Sequence, residues 1–302
     1  MPLPFSNQIS NIYRFSQTKD GDIWGIGGAK IYQFHNKNWY QYELEKIPEV
    51  HGKILKSIVA KADGSIWFGT DLNEIISFDG KSWSSETVRS GGFRTNIIEA
   101  IIFEKSGELC AISIEGLSCR NSNKNWTYYD FVQEKVPFSV QDVALSPSGD
   151  IWISLSNGFL YHFNEKKWEN FSIDDWLGPI ASSSDGGLWI YSKGKIGKRS
   201  IDGTIMFSDV YPFLYDYPPI DMFESNDGVL WLGCVGYNGY GILRYLKDEV
   251  FETVDGKELS TKDYGPSPHI LYPFGIQVNS IFQDQDENIW FGTSNGLFRY
   301  HE

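Results

Sequence analysis

The sequence predicts an all-β fold, a seven-bladed β-propeller, and three observations lead to it. A short unit recurs seven times along the 302 residues, and its spacing matches that of propeller blades. Each copy also divides into four short strands with turn residues between them, while stretches with a helical period are missing from the sequence.

The recurring unit is a tight turn followed by an apolar strand. It reads DGDIWGIG at 20–27, DGSIWFGT at 63–70, SGELCAIS at 106–113, SGDIWISL at 148–155, DGGLWIYS at 185–192, DGVLWLGC at 227–234 and DENIWFGT at 286–293. One position, called the anchor here, is tryptophan in six copies; the seven anchors are Trp24, Trp67, Cys110, Trp152, Trp189, Trp231 and Trp290. The steps between anchors are 43, 43, 42, 37, 42 and 59 residues, close to the length of a four-stranded blade.

The four strands of a copy follow from its turn chemistry. An apolar strand such as NIIEAIIF at 96–103 leads into an Asp-Gly or Ser-Gly pair, which supplies the positive φ of a tight hairpin. The anchor strand and a third strand such as GFLYHFN at 158–164 come next. A fourth strand carries an aromatic residue: Trp39, Trp83, Trp126, Trp168, Phe207 or Phe251.

These units predict a single domain spanning residues 1–302. Its blades are expected at roughly 11–48, 54–90, 96–133, 140–175, 179–210, 219–254 and 277–302. The last copy ends one strand early, and Phe5 stands in the N-terminal segment where a fourth-strand aromatic belongs. We therefore expect residues 3–8 to complete the last blade, which removes an exposed sheet edge.

The anchor tryptophans are interpreted as core residues rather than ligand contacts. A sheet that is apolar on both faces has to pack against a neighbour on each side. An aromatic residue repeated in nearly every sheet fills the wedge between such neighbours, and large aromatic side chains are mostly buried.

Charge and cysteine content narrow the classes of partner and compartment. The formal net charge of −13 disfavours nucleic acid and anionic membranes as partners. The N-terminus lacks the pattern of a signal peptide, and no apolar run is long enough to span a membrane. Cys110 and Cys119 flank a hairpin almost symmetrically and could face each other, but buried free thiols are the favoured interpretation. A cytoplasmic location is therefore expected.

The last copy resembles a known family. Its sequence IWFGTSNGLFRY at 289–300 is similar to the two-component regulator propeller repeat, which occurs in sensor regions of bacterial hybrid histidine kinases. The first copy also resembles tectonin repeats of lectin-like propellers. The resemblance implies a seven-bladed propeller from a bacterium, and its motif carries fold rather than chemistry.

The irregular residues point to one binding face. Four long connections, at 173–180, 210–220, 233–241 and 254–275, belong to consecutive predicted blades and are expected on the same face of a propeller. Tyrosine and tryptophan there suit a peptide, a protein surface or a sugar. The candidate binding residues are Trp176, Tyr211, Tyr215, Tyr217, Tyr237, Tyr240, His269, Tyr272 and Phe274.

The function indicated by these loops is non-enzymatic binding of a protein or peptide. A carbohydrate-binding or sensor-like propeller that uses the same face is the alternative, and a lyase or hydrolase comes third. No catalytic residue, metal site or cofactor is predicted, because no nucleophile–base pair or metal-ligand spacing is evident. The aromatic residues could also only pack the loops, and the oligomeric state is left open.

Overall fold

The computed structural model describes residues 11–88, 97–131, 138–174, 176–235, 241–245, 251–253, 258–259, 277–294 and 296–300. Within these residues the strands form seven antiparallel sheets, each a meander of consecutive strands. Five sheets have four strands, one has five and one has three. The fold class is the seven-bladed β-propeller that the sequence predicts.

Contacts divide the chain into two compact units, and the first contains three sheets from residues 11–131, with residues 166–168. Their first strands lie side by side, β1 against β5 and β5 against β9. A single turn of 3-10 helix, Leu44–Lys46, follows the first sheet. The strands are β1 Ile12–Gln17, β2 Ile23–Gly27, β3 Lys30–His35, β4 Asn38–Glu43; β5 Leu55–Ala60, β6 Ile66–Thr70, β7 Glu74–Phe78, β8 Trp83–Thr87; β9 Ala100–Phe103, β10 Leu109–Ser113, β11 Gly116–Arg120 and β12 Trp126–Asp130.

The second unit contains the other four sheets, in residues 138–165 and 169–300. Their first strands again contact one another in chain order: β13, β17, β21 and β26. The strands are β13 Val140–Leu145, β14 Ile151–Leu155, β15 Phe159–Asn164, β16 Lys167–Ser172; β17 Ile180–Ser182, β18 Leu188–Ser192, β19 Lys195–Arg199, β20 Ile205–Phe207; β21 Pro219–Glu224, β22 Leu230–Cys234, β23 Ile242–Tyr245, β24 Phe251–Thr253, β25 Glu258–Leu259; β26 Val278–Gln283, β27 Ile289–Thr293 and β28 Gly296–Tyr300.

The sequence repeat coincides with these strands. Every anchor lies on the second strand of its sheet, and the six predicted aromatic residues lie on fourth strands. The turns before the anchor strands take the expected conformation, as Gly64 does with a φ of +87°. In the last sheet Glu287 holds the equivalent turn position with a φ of +65°, where a side chain is tolerated at some cost in free energy.

Hydrogen bonds fasten anchor tryptophans to their own turns. Trp290, which is 1% exposed, donates its indole N–H to Asp284 Oδ2 at 2.6 Å. The indole of Trp231 donates to Ser225 Oγ at 3.0 Å in the same way. Since a buried indole N–H needs an acceptor, these bonds support the interpretation of the anchors as core residues.

Two short elements differ from the sequence-based expectation. The connection 210–220 contains a helix of one turn, α1 Pro212–Asp216, with proline at its start, a position that proline favours. Inside the predicted loop 254–275, β25 pairs with β24 as a fifth strand. Neither α1 nor any other helix in the described ranges is long and apolar enough to cross a membrane.

The expected closure by residues 3–8 lies outside the described residues, and so do the greater parts of the insertions 233–241 and 254–275. In the described chain, β28 is the last strand of a three-stranded sheet. Completion of this sheet by the N-terminal segment therefore stays a prediction.

The expectation that Cys110 and Cys119 are free thiols is wrong. The two residues are directly opposite in the register of β10 and β11, and their sulfurs form a disulfide. The Cα atoms of the pair are only 4.0 Å apart, so the register of the hairpin brings the two thiols within bonding distance. The remaining cysteine, Cys234, is a buried free thiol, and burial raises its pKa.

Candidate functional site

The described part of the predicted binding face is built around α1. Phe213 and Leu214 of this helix are completely buried among residues of the fifth and sixth sheets. Tyr191 donates its hydroxyl hydrogen to Leu214 O at 2.7 Å, and the amide of Gly194 donates to the Tyr191 hydroxyl at 3.2 Å. Burial raises the pKa of Tyr191, which keeps its hydroxyl protonated as a donor. The helix is thus pinned to the fifth sheet.

The predicted aromatic residues around α1 occupy different environments. Tyr211 is buried, and Trp176 and Tyr217 are partly buried against the same apolar cluster. Tyr215 is 64% exposed, and Val210 beside the helix is exposed as well. Three of the four described aromatic candidates therefore pack at least in part, while Tyr215 presents its ring to solvent.

The connection before the fifth sheet is held by hydroxyl groups of the fourth and fifth sheets. Ser192 Oγ lies 2.9 Å from Asp174 Oδ2 and 2.8 Å from the carbonyl oxygen of Trp176. Ser154 donates to the carbonyl oxygen of Gly178 at 2.8 Å. Hydrogen bonds therefore hold the loop that carries Trp176 both before and after this residue. The other candidates lie outside the described residues and stay predictions: Tyr237, Tyr240, His269, Tyr272 and Phe274.

A second candidate site, which we call the 5/6 cleft, was not predicted from the sequence. It is a cavity of about 570 Å³ between the fifth and sixth sheets, a volume in the range of small-ligand pockets. Its lining combines turns and three strands of the fifth sheet with β21, β23 and the first turn of the sixth. The lining residues are Ser183, Ser184, Asp185, Trp189, Ile196, Lys198, Ser200, Met206, Phe207, Ser208, Glu224, Asn226, Asp227, Gly228 and Tyr245.

One wall of the 5/6 cleft carries an aromatic and ionic cluster. Lys198 Nζ lies 4.6 Å from the centre of the Trp189 ring and 2.6 Å from Asp185 Oδ2. Tyr245 meets Trp189 edge-on, at 5.9 Å between ring centres. Lys198 is therefore held by a carboxylate and an aromatic face together.

Glu224 joins the two walls of the cleft. Its carboxylate accepts hydrogen bonds from Ser183 Oγ at 2.7 Å, from the amide and hydroxyl of Ser184, and from the Trp189 indole. Burial opposes ionisation of Glu224, but these donors outweigh it and lower the pKa of the carboxyl group. An ionised carboxylate is thus maintained beside the anchor tryptophan.

The sequence carries one signal of charge beside the anchor tryptophans. The third-strand residue opposite the anchor is basic or histidine in the last four sheets, namely His162, Lys198, Arg244 and Arg299. Such a residue indicates that a charged side chain lies beside the anchor tryptophan. It does not predict a cleft, because the depth of the cleft depends on how the neighbouring sheet packs. A smaller cavity of about 370 Å³ lies between the sixth and seventh sheets.

Within the described residues, one cluster has metal-ligating atoms close together: Glu104, Cys110 and Cys119. The disulfide uses both sulfurs, which leaves Glu104 as a single ligand. Lys166 Nζ lies 3.3 Å from Glu104 Oε2 and 2.6 Å from Glu108 Oε2, so the carboxylates are already neutralised in part. This cluster is not a metal site while the disulfide is formed.

Comparison with known proteins supports the resemblance seen in the sequence. A family model described as two component regulator propeller matches residues 273–295, in the last repeat. None of the curated proteins matches the sequence.

Several solved structures share the fold at low sequence identity. Virginiamycin B lyase from Staphylococcus aureus is 17% identical with a TM-score of 0.72, and the match covers 98% of this chain and 96% of that one. YCF48 bound to D1 peptide is 16% identical with a TM-score of 0.73, covering 100% and 94%. The extracellular domain of a hybrid two component system from B. thetaiotaomicron is 16% identical with a TM-score of 0.71, covering 100% and 39%.

Proposed function

We propose that this protein is a non-enzymatic binding propeller that recognises a protein or peptide through the aromatic loop face of blades four to seven. The observation that carries the proposal is the exposed ring of Tyr215 on α1, a helix whose Phe213 and Leu214 are fully buried. A rigidly supported, exposed tyrosine loses little conformational entropy on binding and is typical of interface hot spots.

The surroundings of Tyr215 favour a macromolecular partner. Exposed Val210 extends the apolar surface, and Tyr211 next to it in the chain is buried in the apolar cluster. Asp216 ends the same helix, and the whole chain is strongly acidic. We therefore expect a partner surface that combines an apolar pocket for the tyrosine ring with neutral or basic residues around it.

The structural relatives allow more than one function on this fold. YCF48 is seen with a bound peptide, the B. thetaiotaomicron domain belongs to a hybrid two component system, and virginiamycin B lyase is an enzyme. Fold alone does not choose among these, because unrelated functions are grafted on one scaffold. A carbohydrate ligand on the same face remains our alternative.

The test compares Tyr215→Ala with Tyr40→Ala, a matched change of an exposed tyrosine on β4. Proteins that co-purify with the wild-type chain are quantified by mass spectrometry for each variant, and all three proteins are applied to a glycan array. We expect Tyr215→Ala to lose a specific protein partner while Tyr40→Ala keeps it. A glycan signal that depends on Tyr215 would establish the alternative instead. An unchanged set of partners with Tyr215→Ala, at unchanged melting temperature, would contradict the proposal.

A further inference from the structure

We infer that the 5/6 cleft is a second binding site, which takes an extended peptide segment with a basic side chain flanked by apolar ones. The lining of the cleft includes no residue of α1, so this inference does not depend on the proposed function of the aromatic loop face. Four observations carry it: exposed apolar residues, a row of side chains, an open sheet edge and a charge imbalance.

Exposed apolar side chains are concentrated beside the cleft. Eleven large hydrophobic residues are exposed among the described residues, and five of them lie between residues 201 and 215. Three of the five, Ile201, Met206 and Phe207, belong to β20 or the turn that leads into it, and Met206 is 72% exposed. An apolar surface concentrated on one strand is typical of an interaction site.

A row of three side chains leads from the core to this surface. Trp189, Lys198 and Met206 are directly opposite one another in the register of β18, β19 and β20. Residues opposite one another across antiparallel strands share one face of the sheet. The row therefore forms one wall of the cleft, with the indole at the inner end and the exposed thioether at the outer end.

The outer edge of β20 can accept another strand. Ser208 N donates to Ile196 O at 2.9 Å and Ser200 N to Thr204 O at 2.8 Å. These two bonds show which residue pairs of β19 and β20 are the hydrogen-bonded ones. Because hydrogen-bonded pairs alternate along an antiparallel ladder, the backbone groups of Ile205 and Phe207 point to the other edge. The described chain places no strand against that edge. A short extended peptide can pair there by β-augmentation.

The charges of the cleft select the peptide. Asp185, Glu224 and Asp227 line it, and Lys198 is the cation among its lining residues. Lys198 already pairs with Asp185, whereas Asp227 Oδ1 accepts a hydrogen bond from Ser225 Oγ within its own turn. Three carboxylates against one ammonium group favour a lysine or arginine of the peptide and disfavour an acidic segment.

The experiment uses the full chain and a phage-displayed library of random peptides, with selected peptides synthesised for fluorescence anisotropy. We expect the selected peptides to alternate basic and apolar residues. Met206→Ser and Asp227→Asn should each weaken their binding at least about tenfold, the first through lost apolar contact and the second through lost charge. N-methylation of the central peptide amides should abolish binding, since the amides pair with β20.

Matched controls separate this site from the rest of the molecule. Leu72→Ser and Asp79→Asn make comparable changes at an exposed leucine and an exposed turn aspartate of the second sheet, and they should leave affinity unchanged. Tyr215→Ala should have no effect either, so failure here and failure of the proposed function are distinguishable. Selection of no peptides, selection of acidic peptides, or equal binding by wild type and Met206→Ser would each overturn the inference.

Discussion

The residue opposite the anchor shows how single positions diversify an otherwise regular repeat. His162 stacks on Trp152 at 4.0 Å, and Lys198, Arg244 and Arg299 lie 4.6, 5.8 and 5.7 Å from the ring centres of their tryptophans. In the third sheet the same two positions are Cys110 and Cys119. In this sheet a disulfide thus takes the place of the contact between a cation and an aromatic ring, which is worth about 0.5–2 kcal/mol per pair.

Thiol counting tests that replacement. When the protein is denatured without reductant and alkylated, mass spectrometry should find one modified cysteine, Cys234, and three after reduction. The cysteines are nine residues apart, so Cys110→Ala/Cys119→Ala should lower the free energy of unfolding by about 2–3 kcal/mol. Three modified cysteines without reductant would exclude the bond. The count also bears on the predicted cytoplasmic location, because disulfides persist mainly in oxidising compartments.

The carboxylate of Glu224 should make stability depend on pH. Its pKa lies below the ordinary value of 4.5 in the folded state, so it stabilises the fold above that pH and ceases to do so as the pH falls through the folded-state pKa. We expect Glu224→Gln to lower the melting temperature at pH 7 by about 1–2 °C, for a loss of about 1 kcal/mol.

Melting curves between pH 7 and pH 3 measure this dependence. The difference between wild type and Glu224→Gln should shrink as the pH falls below 4.5. The exposed Glu45→Gln serves as control and should follow the wild-type curve throughout. A difference that stays constant down to pH 3 would contradict the assignment of the effect to the charge of Glu224.

At the scale of elements, α1 depends on the turn beneath it. Gly194 between β18 and β19 has a φ of +81°, and a Cβ there would lie 3.1 Å from Tyr211 O and 3.2 Å from Tyr215 Cβ. A side chain at this position would therefore strain the backbone and also push against the helix.

Alanine substitutions at two glycines separate those effects. Gly80 has a similar φ of +92° but open space around it, so Gly80→Ala should cost only the backbone strain of about 1–2 kcal/mol. Gly194→Ala should cost about 1 kcal/mol more, because the crowded atoms belong partly to backbone. Urea unfolding of both variants measures the difference. Equal losses of unfolding free energy in the two variants would show that α1 shifts to accommodate the added methyl group without a measurable cost.

Strand completion in the last sheet is also a prediction at this scale. If residues 3–8 pair with β28, Phe5→Asp should lower the melting temperature by several degrees, because an apolar contact of the outer strand is replaced by a charge. Hydrogen exchange of the β28 amides should become faster as well. Unchanged exchange at residues 296–300 would indicate that the N-terminal segment does not cover this edge.

At the scale of the whole molecule, acidic residues exceed basic ones by a wide margin. The chain has 39 aspartates and glutamates against 26 lysines and arginines, so pairing cannot neutralise all carboxylates. Added NaCl up to about 0.5 M should therefore raise the melting temperature by screening self-repulsion. KCl at the same concentration should raise the melting temperature by the same amount. A fall in melting temperature on adding salt would mean that attraction within ion pairs outweighs the repulsion among carboxylates.

Much of the fold could be predicted because its determinants are local. Turns such as Asp63–Gly64 and the spacing of the anchors follow from neighbouring residues, and they indicated seven sheets and the strand order within each. The environment of each aromatic loop residue could not be predicted in this way. Composition indicates that a loop is aromatic, but it does not say that Tyr215 is exposed while Tyr211, four residues earlier, is buried.

The sequence by itself determined the repeat, its turns and the alternation of its strands, since hydrogen bonding within a meander joins residues close in the chain. Only the tertiary structure decided which faces are covered. It placed α1 on the fifth sheet and opened the 5/6 cleft, where Glu224 reaches Ser184 and Trp189 from another sheet. Burial and pairing across sheets depend on residues about 40 positions apart, and no local pattern encodes such contacts.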